Sequence, residues 1–184
     1  KEFKDTEIGK IPKDWELKKL GEIAKFKRGF SYRSEDISKT PTKIRFITIN
    51  DIEKEGGMKK DAEPIYLRED IDIDSEFFIE NGDLLIANTD MTKGFIIGAP
   101  LLIKNMRSKA VYSMDLTKLV LNNHYVKSKY LFYYLMYGPM RQKMKSASQG
   151  TNVLHLNHEL IKMFLIPLPP LSEQEKTAEI LSTA

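Results

Sequence analysis

Seven consecutive residues combine the side-chain types that read base edges in a DNA major groove. They are Asn88-Thr89-Asp90-Met91-Thr92-Lys93-Gly94, and they separate two segments with the composition of strands. Asparagine can bridge the adenine edge, aspartate can accept from the cytosine amine, and a threonine methyl can touch the thymine methyl. The same composition is also that of an ordinary polar turn. On the first interpretation the base-reading candidates are Asn88, Thr89, Asp90 and Thr92, and Lys93 is a phosphate candidate.

A second segment alternates cations with aromatic side chains ahead of a glycine turn. It reads Lys25-Phe26-Lys27-Arg28-Gly29-Phe30-Ser31-Tyr32-Arg33. Lysine and arginine neutralise phosphates, and an arginine can also pair with the guanine edge. An exposed strand whose lysine stems cover apolar neighbours fits this pattern equally well. The candidates are Lys25, Lys27 and Arg28 for phosphate and Arg33 for a base.

A third region is basic and has no carboxylate between Asp115 and Glu159. Residues 47–83 are acidic by contrast, so a polyanion would be attracted to one half of the chain and oriented by the other. Alternatively, the uneven charge distribution indicates only that a globular protein has two solvent-exposed faces of different charge. Residues 146–152 form a loop of small side chains whose amides can approach phosphate closely. The phosphate candidates from this region are Arg141, Lys143, Lys145, Gln149, Thr151 and Asn152.

The common catalytic motifs are missing from the sequence. It contains no glycine-rich nucleotide loop, no nucleophile elbow, no His-Glu-x-x-His and no Asn-Pro-Pro-aromatic tetrad of adenine methyltransferases. His155, His158 and Glu159 are closely spaced, but no further metal ligand lies near them, and a surface or phosphate-facing pair of histidines is favoured over a metal site. The alternating acids of residues 70–76 lack the glycine that a calcium loop needs. No catalytic residue and no metal site is therefore predicted in this chain.

Hydrophobic patterning predicts the elements that position these residues. Short β-branched and aromatic runs predict strands at 44–49, 84–87, 95–97, 101–103, 110–113 and 116–121. Residues 127–137 carry tyrosines at helical spacing and are apolar on nearly all sides, which predicts a buried helix, although tyrosines can also stack on bases. Gly138-Pro139 ends this helix and begins a basic one. These elements predict an α+β fold, a mostly antiparallel sheet with helices packed on one side.

The end of the chain predicts a junction between a domain and a helix. Asn157 is a plausible N-cap of a short helix, and residues 163–168 have the composition of a strand. Pro169-Pro170 ends that strand, and Ser172 with Glu175 has the spacing of a capping box. The predicted boundaries are 1–168 for the domain and 169–184 for the junction and the start of a long C-terminal helix.

Composition bounds the class of protein. The chain has 184 residues, 41% of them hydrophobic and 10% aromatic, which is enough for one well-buried domain. It has no cysteine, no signal-peptide pattern and no apolar run long enough for a bilayer. We expect a soluble cytoplasmic protein that does not associate with membranes.

Three segments, spread over nearly the whole chain, form a pattern that is specific to one family. The first is Gly9-Lys10-Ile11-Pro12-Lys13-Asp14-Trp15 with Leu20-Gly21-Glu22-Ile23, and the second is Asn81-Gly82-Asp83-Leu84-Leu85-Ile86-Ala87. The third is Gly150-Thr151 with Ile166-Pro167-Leu168-Pro169-Pro170-Leu171-Ser172-Glu173-Gln174. This pattern resembles the specificity subunits of type I restriction-modification enzymes.

The resemblance implies a target recognition domain that reads one half of a split DNA site and is followed by a spacer helix. A full subunit has two such units, so a half-subunit or a fragment is implied. The domain would be non-catalytic by itself, and S-adenosylmethionine, ATP and magnesium would belong to partner subunits. Its partners would be double-stranded DNA, the modification (methyltransferase) subunit, the restriction subunit, and a second copy or second recognition domain through the C-terminal helix. The subunit-interface candidates are Pro169, Pro170, Leu171, Glu173 and Gln174.

Two other classes of function stay open from the residues alone. The chain could be a recognition module detached from a single-chain restriction-methylation enzyme, whose catalytic part lies outside it. It could also be a protein-interaction domain that uses the acidic segment and does not bind DNA. Salt-dependent binding to duplex DNA separates the last reading from the other two.

Overall fold

The computed structural model describes residues 2–91 and 95–183, and these form fifteen strands and five α-helices. The strands are β1 Phe3–Thr6, β2 Gly9–Pro12, β3 Glu16–Lys19, β4 Ala24–Arg28, β5 Ile44–Ile47, β6 Ile65–Tyr66, β7 Phe78–Ile79, β8 Leu84–Ala87, β9 Thr89–Asp90, β10 Pro100–Leu102, β11 Lys109–Tyr112, β12 Leu116–Leu121, β13 Ser148–Gln149, β14 Leu154–Leu156 and β15 Leu165–Leu168. The helices are α1 Leu20–Ile23, α2 Ser128–Met136, α3 Gly138–Ser146, α4 His158–Lys162 and α5 Leu171–Ser182.

The central sheet is antiparallel and has the strand order β10-β8-β12-β4. Its strand β8 is buried on both faces, as an unbroken apolar run predicts. Leu84 and Ile86 point into a core shared with the helices. Leu85 and Ala87 point the other way, into a core shared with the second sheet. The protein is therefore layered, with helices on one face of the central sheet and strands on the other.

The second sheet has the order β6-β5-β11-β7 and contains one parallel pair, β5 with β11. Its other pairs are antiparallel. Three smaller sheets, β1-β2, β15-β3 and β13-β14-β9, are antiparallel throughout. The predicted α+β class with a mostly antiparallel sheet is confirmed.

Helix α2 is the centre of the helical layer and packs against α3, α5 and β10. Its tyrosines Tyr130 and Tyr133 are buried, whereas Tyr137 just beyond its end is exposed. Tyr130 Oη donates to the Pro167 carbonyl at 2.7 Å. The tyrosine stripe therefore belongs to the core, with hydroxyls bonded inside or lying at its rim.

Two local predictions near the end of the chain have different outcomes. Asn157 caps α4, and its side chain accepts from the Leu160 amide at 3.1 Å, as expected. The capping box at Ser172 is wrong, because α5 begins at Leu171 with Pro170 as its N-cap. Glu175 instead pairs with Lys127 at 2.8 Å.

The predicted strand at 95–97 is also wrong. Those residues form bends and a turn in the structure, because their backbone is bound by side chains and not by a neighbouring strand. No helix in the described part of the chain is both long and apolar enough to cross a membrane.

Candidate nucleic-acid interface

Two adjoining cavities form a groove along one side of the small sheet β13-β14-β9, which we call the polar groove. Their volumes are about 470 Å³ and 380 Å³, and Arg28 and His155 line both. The first is also lined by Phe26, Asn88, Gln149, Asn157, His158 and Glu159. The second is also lined by Tyr32, Asn50, Thr89, Met91, Asp115 and Val153, and its floor includes the apolar side chains of Ile37, Ile49, Ile65 and Met114.

The small sheet brings distant parts of the sequence to this groove. Strand β14 lies in the middle, paired with β13 on one side and β9 on the other. Its His155 lies opposite Gln149 of β13 and Thr89 of β9. Residues from the first and third predicted regions therefore meet at one surface.

Strand β4 places Arg28 in the polar groove, whereas its two lysines lie on the opposite side of the strand. Successive side chains on a strand point to opposite faces. Phe26 and Arg28 line the groove, and the Arg28 Nε donates to the Met114 carbonyl at 2.9 Å. Lys27 faces away and lies 3.4 Å from Glu76 of the acidic segment. Lys25 is exposed on the same side of the strand as Lys27.

A buried polar cluster forms the back wall of the groove. The Asn88 carboxamide oxygen accepts from Thr117 Oγ1 at 2.7 Å and lies 2.8 Å from His158 Nε2. Because that oxygen can only accept, the hydrogen bond places a proton on His158 Nε2. Burial lowers the pKa of His158 below its usual value, and the nearby charges of Lys162 and Arg28 lower it further.

The expectation that Asn88, Thr89 and Asp90 enter a DNA groove needs correction. Their exposures are 6%, 5% and 2%, so none presents its polar atoms to a base edge in this structure. Thr89 Oγ1 donates to Asp115 at 3.0 Å, and Asp90 accepts from the Ile96 amide at 2.6 Å. The cause is β9, which pairs with β14 and uses this polar run inside the domain. Thr92 and Lys93 lie outside the described residues.

The hairpin formed by β13 and β14 keeps its polar side chains in solvent. Gln149, Thr151 and Asn152 are exposed. Gly150 has a φ of +128°, and a Cβ there would lie 2.1 Å from the Val153 carbonyl oxygen. Only glycine fits this tight turn between β13 and β14. The turn places the exposed polar residues at the tip of the hairpin.

Helix α3 does not present the basic surface that the sequence predicts. Arg141 is 2% exposed and donates to the carbonyls of Ile97, Lys54 and Phe95, so its candidacy for phosphate is corrected. Lys145 is half-buried and 3.0 Å from Glu55. Residues 116–158 contain no carboxylate, but folding brings Glu55 beside the cations of α3. Lys143 is exposed on this helix.

Two further sets of candidates are placed as follows. Arg33 is exposed beside the 3₁₀ turn Ser34–Asp36, and its Nη1 lies 3.5 Å from Glu35. Pro170 is exposed, and Leu171 and Glu173 are half-buried.

Pro169 and Gln174 are buried within the chain's own fold, which corrects their candidacy for a subunit interface. Gln174 Nε2 donates to the carbonyls of Tyr125 and Pro169, and its Oε1 accepts from the Lys127 amide at 2.9 Å. This one side chain fastens the first turn of α5 to the domain.

His155 and His158 line the groove, although the sequence indicated them only as a surface or phosphate-facing pair and not as site candidates. The apolar-polar-apolar order Leu154-His155-Leu156 is the pattern of a strand with one polar face, and it could have placed His155 on an exposed edge. Nothing in the sequence pairs His158 with Asn88. Among the described residues, no group of three or more histidine or acidic side chains is placed to hold a metal ion.

Comparison with known proteins identifies the family. Residues 12–184 match the family model described as the type I restriction modification DNA specificity domain. Over 185 residues the chain is 31% identical to a putative type I restriction enzyme MjaX specificity subunit of Methanocaldococcus jannaschii, covering 98% of this chain and 41% of that protein. It is 27% identical to the MjaVIII specificity subunit of the same organism, covering 100% of this chain and 42% of that one.

Solved structures agree on the fold. A chain from a study of complex assembly and conformational transition of the type I R-M system aligns with a TM-score of 0.66 at 19% identity, over 94% of this chain and 38% of that one. The HsdS subunit from Thermoanaerobacter tengcongensis aligns with a TM-score of 0.64 at 18% identity, over 98% and 39%. The chain spans about 40% of the length of these relatives. It belongs to the family of type I restriction-modification DNA specificity domains.

Proposed function

We propose that the polar groove and its rim bind double-stranded DNA and read one half of a split target site. The observation that carries this proposal is the meeting of Arg28, His155 and the hairpin tip at one concave surface. These residues come from two distant parts of the sequence, strand β4 and the β13–β14 hairpin. All of them offer hydrogen-bond donors to solvent.

Arg28 is the cation best placed to contact phosphate. It is exposed, and only its Nε is engaged by a backbone carbonyl. Within the described residues its guanidinium forms no ion pair, whereas Lys27 and Lys145 face Glu76 and Glu55. A guanidinium without a carboxylate partner can neutralise a phosphate without first losing an ion pair. Lys25 and Lys143 are exposed and remain secondary phosphate candidates.

The hairpin tip is best placed to read bases. Gln149 and Asn152 carry exposed carboxamides, which can bridge the adenine edge as Asn88 was expected to do. Thr151 lies between them at the turn. Arg33 adds an exposed guanidinium that can pair with guanine.

Methylation and cleavage would belong to other subunits. The relatives of this chain are named as specificity subunits of type I restriction enzymes. We accordingly assign S-adenosylmethionine, ATP and magnesium to a modification subunit and a restriction subunit. The junction residues that are not buried, which are the exposed Pro170 and the half-buried Leu171 and Glu173, are with the outer face of α5 the proposed contact with those subunits or with a second recognition domain.

The test is selection of binding sequences from a pool of random duplexes with the isolated chain. We expect enrichment of a short motif, and affinity that falls steeply with salt. Arg28→Ala should reduce the salt slope by about one unit, at roughly 0.9 per phosphate contact. Lys176→Ala, an exposed cation on α5, is the matched control and should leave the slope unchanged. Salt-independent binding, or equal effects of both substitutions, would contradict the proposal.

A further inference from the structure

Two buried side chains of opposite charge hold one short backbone segment from both sides. Arg141 Nη1 donates to the Ile97 carbonyl at 2.7 Å, and Nη2 donates to the Phe95 carbonyl at 2.8 Å. Between them, the Ile96 amide donates to Asp90 Oδ2 at 2.6 Å. The guanidinium thus binds the carbonyls of Phe95 and Ile97, and the carboxylate binds the amide of Ile96 between them. We call this arrangement the Asp90–Arg141 clamp.

The clamp also joins helix α3 to two other parts of the domain. Arg141 Nη2 donates to the Lys54 carbonyl at 2.8 Å, and its Nε lies 3.8 Å from Glu55. Close beside it, Gly98 leaves no room for a side chain, since a Cβ there would lie 2.9 Å from Met144 of α3. The helix therefore sits directly on the bound segment.

The same clamp reaches the polar groove. Asp90 ends β9, and Leu154 of the β13–β14 hairpin lies opposite it. Thr89, one residue before Asp90, lines the groove. Met91, one residue after it, lines the groove and is 72% exposed. Any displacement of Asp90 would move the groove wall and the hairpin that pairs with it.

We propose that Asp90 and Arg141 are positioning residues for DNA recognition, which fix the geometry of the groove wall without touching DNA. This inference rests on the proposed function of the polar groove. It also gives a role to two residues that the sequence suggested as direct DNA contacts. A buried guanidinium costs desolvation, which lowers the pKa of Arg141, and the nearby carboxylates Glu55 and Asp90 offset this cost in part.

Arg141→Lys separates positioning from simple charge. A lysine keeps the positive charge, but its compact ammonium cannot span the Phe95 and Ile97 carbonyls as the planar guanidinium does. We expect this variant to lower the ratio of affinities for selected over random duplex by about tenfold or more. The salt slope should stay within experimental error of the unmodified chain, because the lysine keeps the positive charge. Gln142→Ala, the next and exposed position on α3, is the matched control.

Amide hydrogen exchange tests the clamp without DNA. The Ile96 and Ile97 amides should exchange about tenfold or more faster in Arg141→Lys, while those of α2 keep their rates. If Arg141→Lys does not fold, Asp90→Asn is measured in its place, since it keeps an oxygen acceptor for the Ile96 amide while removing the charge.

The outcomes separate the clamp from the proposed function. Unchanged exchange together with an unchanged affinity ratio would overturn the clamp. A salt slope lowered by about one unit in Arg141→Ala, which removes the charge, would instead make Arg141 a direct phosphate contact. If the unmodified chain shows no salt-dependent binding to duplex DNA, the proposed function fails, and with it the assignment of the clamp to DNA recognition. The exchange result would then stand as evidence on packing alone.

Discussion

Helix α3 and the β13–β14 hairpin follow one another in the chain and were both predicted to meet phosphate, yet the structure uses them oppositely. The helix turns Arg141 inward and pairs Lys145 with Glu55. The hairpin leaves Gln149 and Asn152 in solvent at a glycine turn. One region anchors the groove and the other forms its rim.

The difference shows why cation density along a sequence is a weak guide to a binding surface. Glu55 lies far from α3 in sequence but beside it in space. A stretch without local carboxylates is therefore not free of them after folding. The hairpin, which carries no cation at its tip, is the better exposed of the two.

The largest expected effect is the loss of the anchor. Arg141→Ala should lower the free energy of unfolding by about 3–5 kcal/mol, because it leaves buried carbonyls without donors. Chemical denaturation followed by circular dichroism measures this loss. Gln142→Ala, on the same helix, should change stability by less than about 0.5 kcal/mol. Equal stability of both variants would show that the buried contacts of Arg141 do not stabilise the domain.

A smaller effect is expected from the back wall of the groove. Asn88→Ala should lower the free energy of unfolding by about 1–3 kcal/mol, because Thr117 and His158 lose their shared acceptor. Asn152→Ala at the hairpin tip should leave stability within about 0.5 kcal/mol and weaken selected duplex by about 1–3 kcal/mol. If Asn88→Ala instead weakens DNA binding and Asn152→Ala instead lowers stability, then Asn88 contacts bases and the hairpin tip does not.

The smallest effect concerns pH. Because burial lowers the pKa of folded His158, the unfolded chain binds the proton more readily than the folded one. Stability should be greatest above the unfolded pKa of about 6.5 and should decline as the pH falls below it. Denaturation midpoints between pH 7.5 and 5.5 would reveal the decline. His158→Gln should reduce this loss of stability at low pH. The control His124→Gln, at an exposed position, should leave the loss unchanged. If the loss persists in His158→Gln, a group other than His158 causes it.

Local patterns predicted most of the framework. Strands β8 and β12 and helix α2 occur within a residue of their predicted ends, since continuous or periodic apolar runs determine them. The strand expected at 95–97 failed because its β-branched run is bound by Asp90 and Arg141, which are brought to it only by tertiary contacts. The helix predicted near Ser172 is present, but its predicted N-cap is wrong, because the preceding proline pair makes the helix begin at Leu171.

The candidate site was less predictable than the framework. Arg28 and the hairpin were already candidates from the sequence, because exposed cations and glycine turns have local signatures, and their contact with DNA stays a prediction. The burial of Asn88 and Asp90 depends on β9 pairing with β14, and no local pattern distinguishes a polar turn from a short buried strand. The contact of His158 with Asn88 could not be predicted for the same reason, since the two residues lie 70 positions apart in the sequence.

The pairing of β3 with β15 joins residues 16–19 to residues 165–168, almost the whole length of the domain. Contacts so distant in sequence form slowly, because the intervening chain loses its freedom before the pairing can stabilise it. During synthesis the early strand has no partner until Leu168 has left the ribosome. We therefore expect native folding to be completed late and in one cooperative step, with β3 exposed until then.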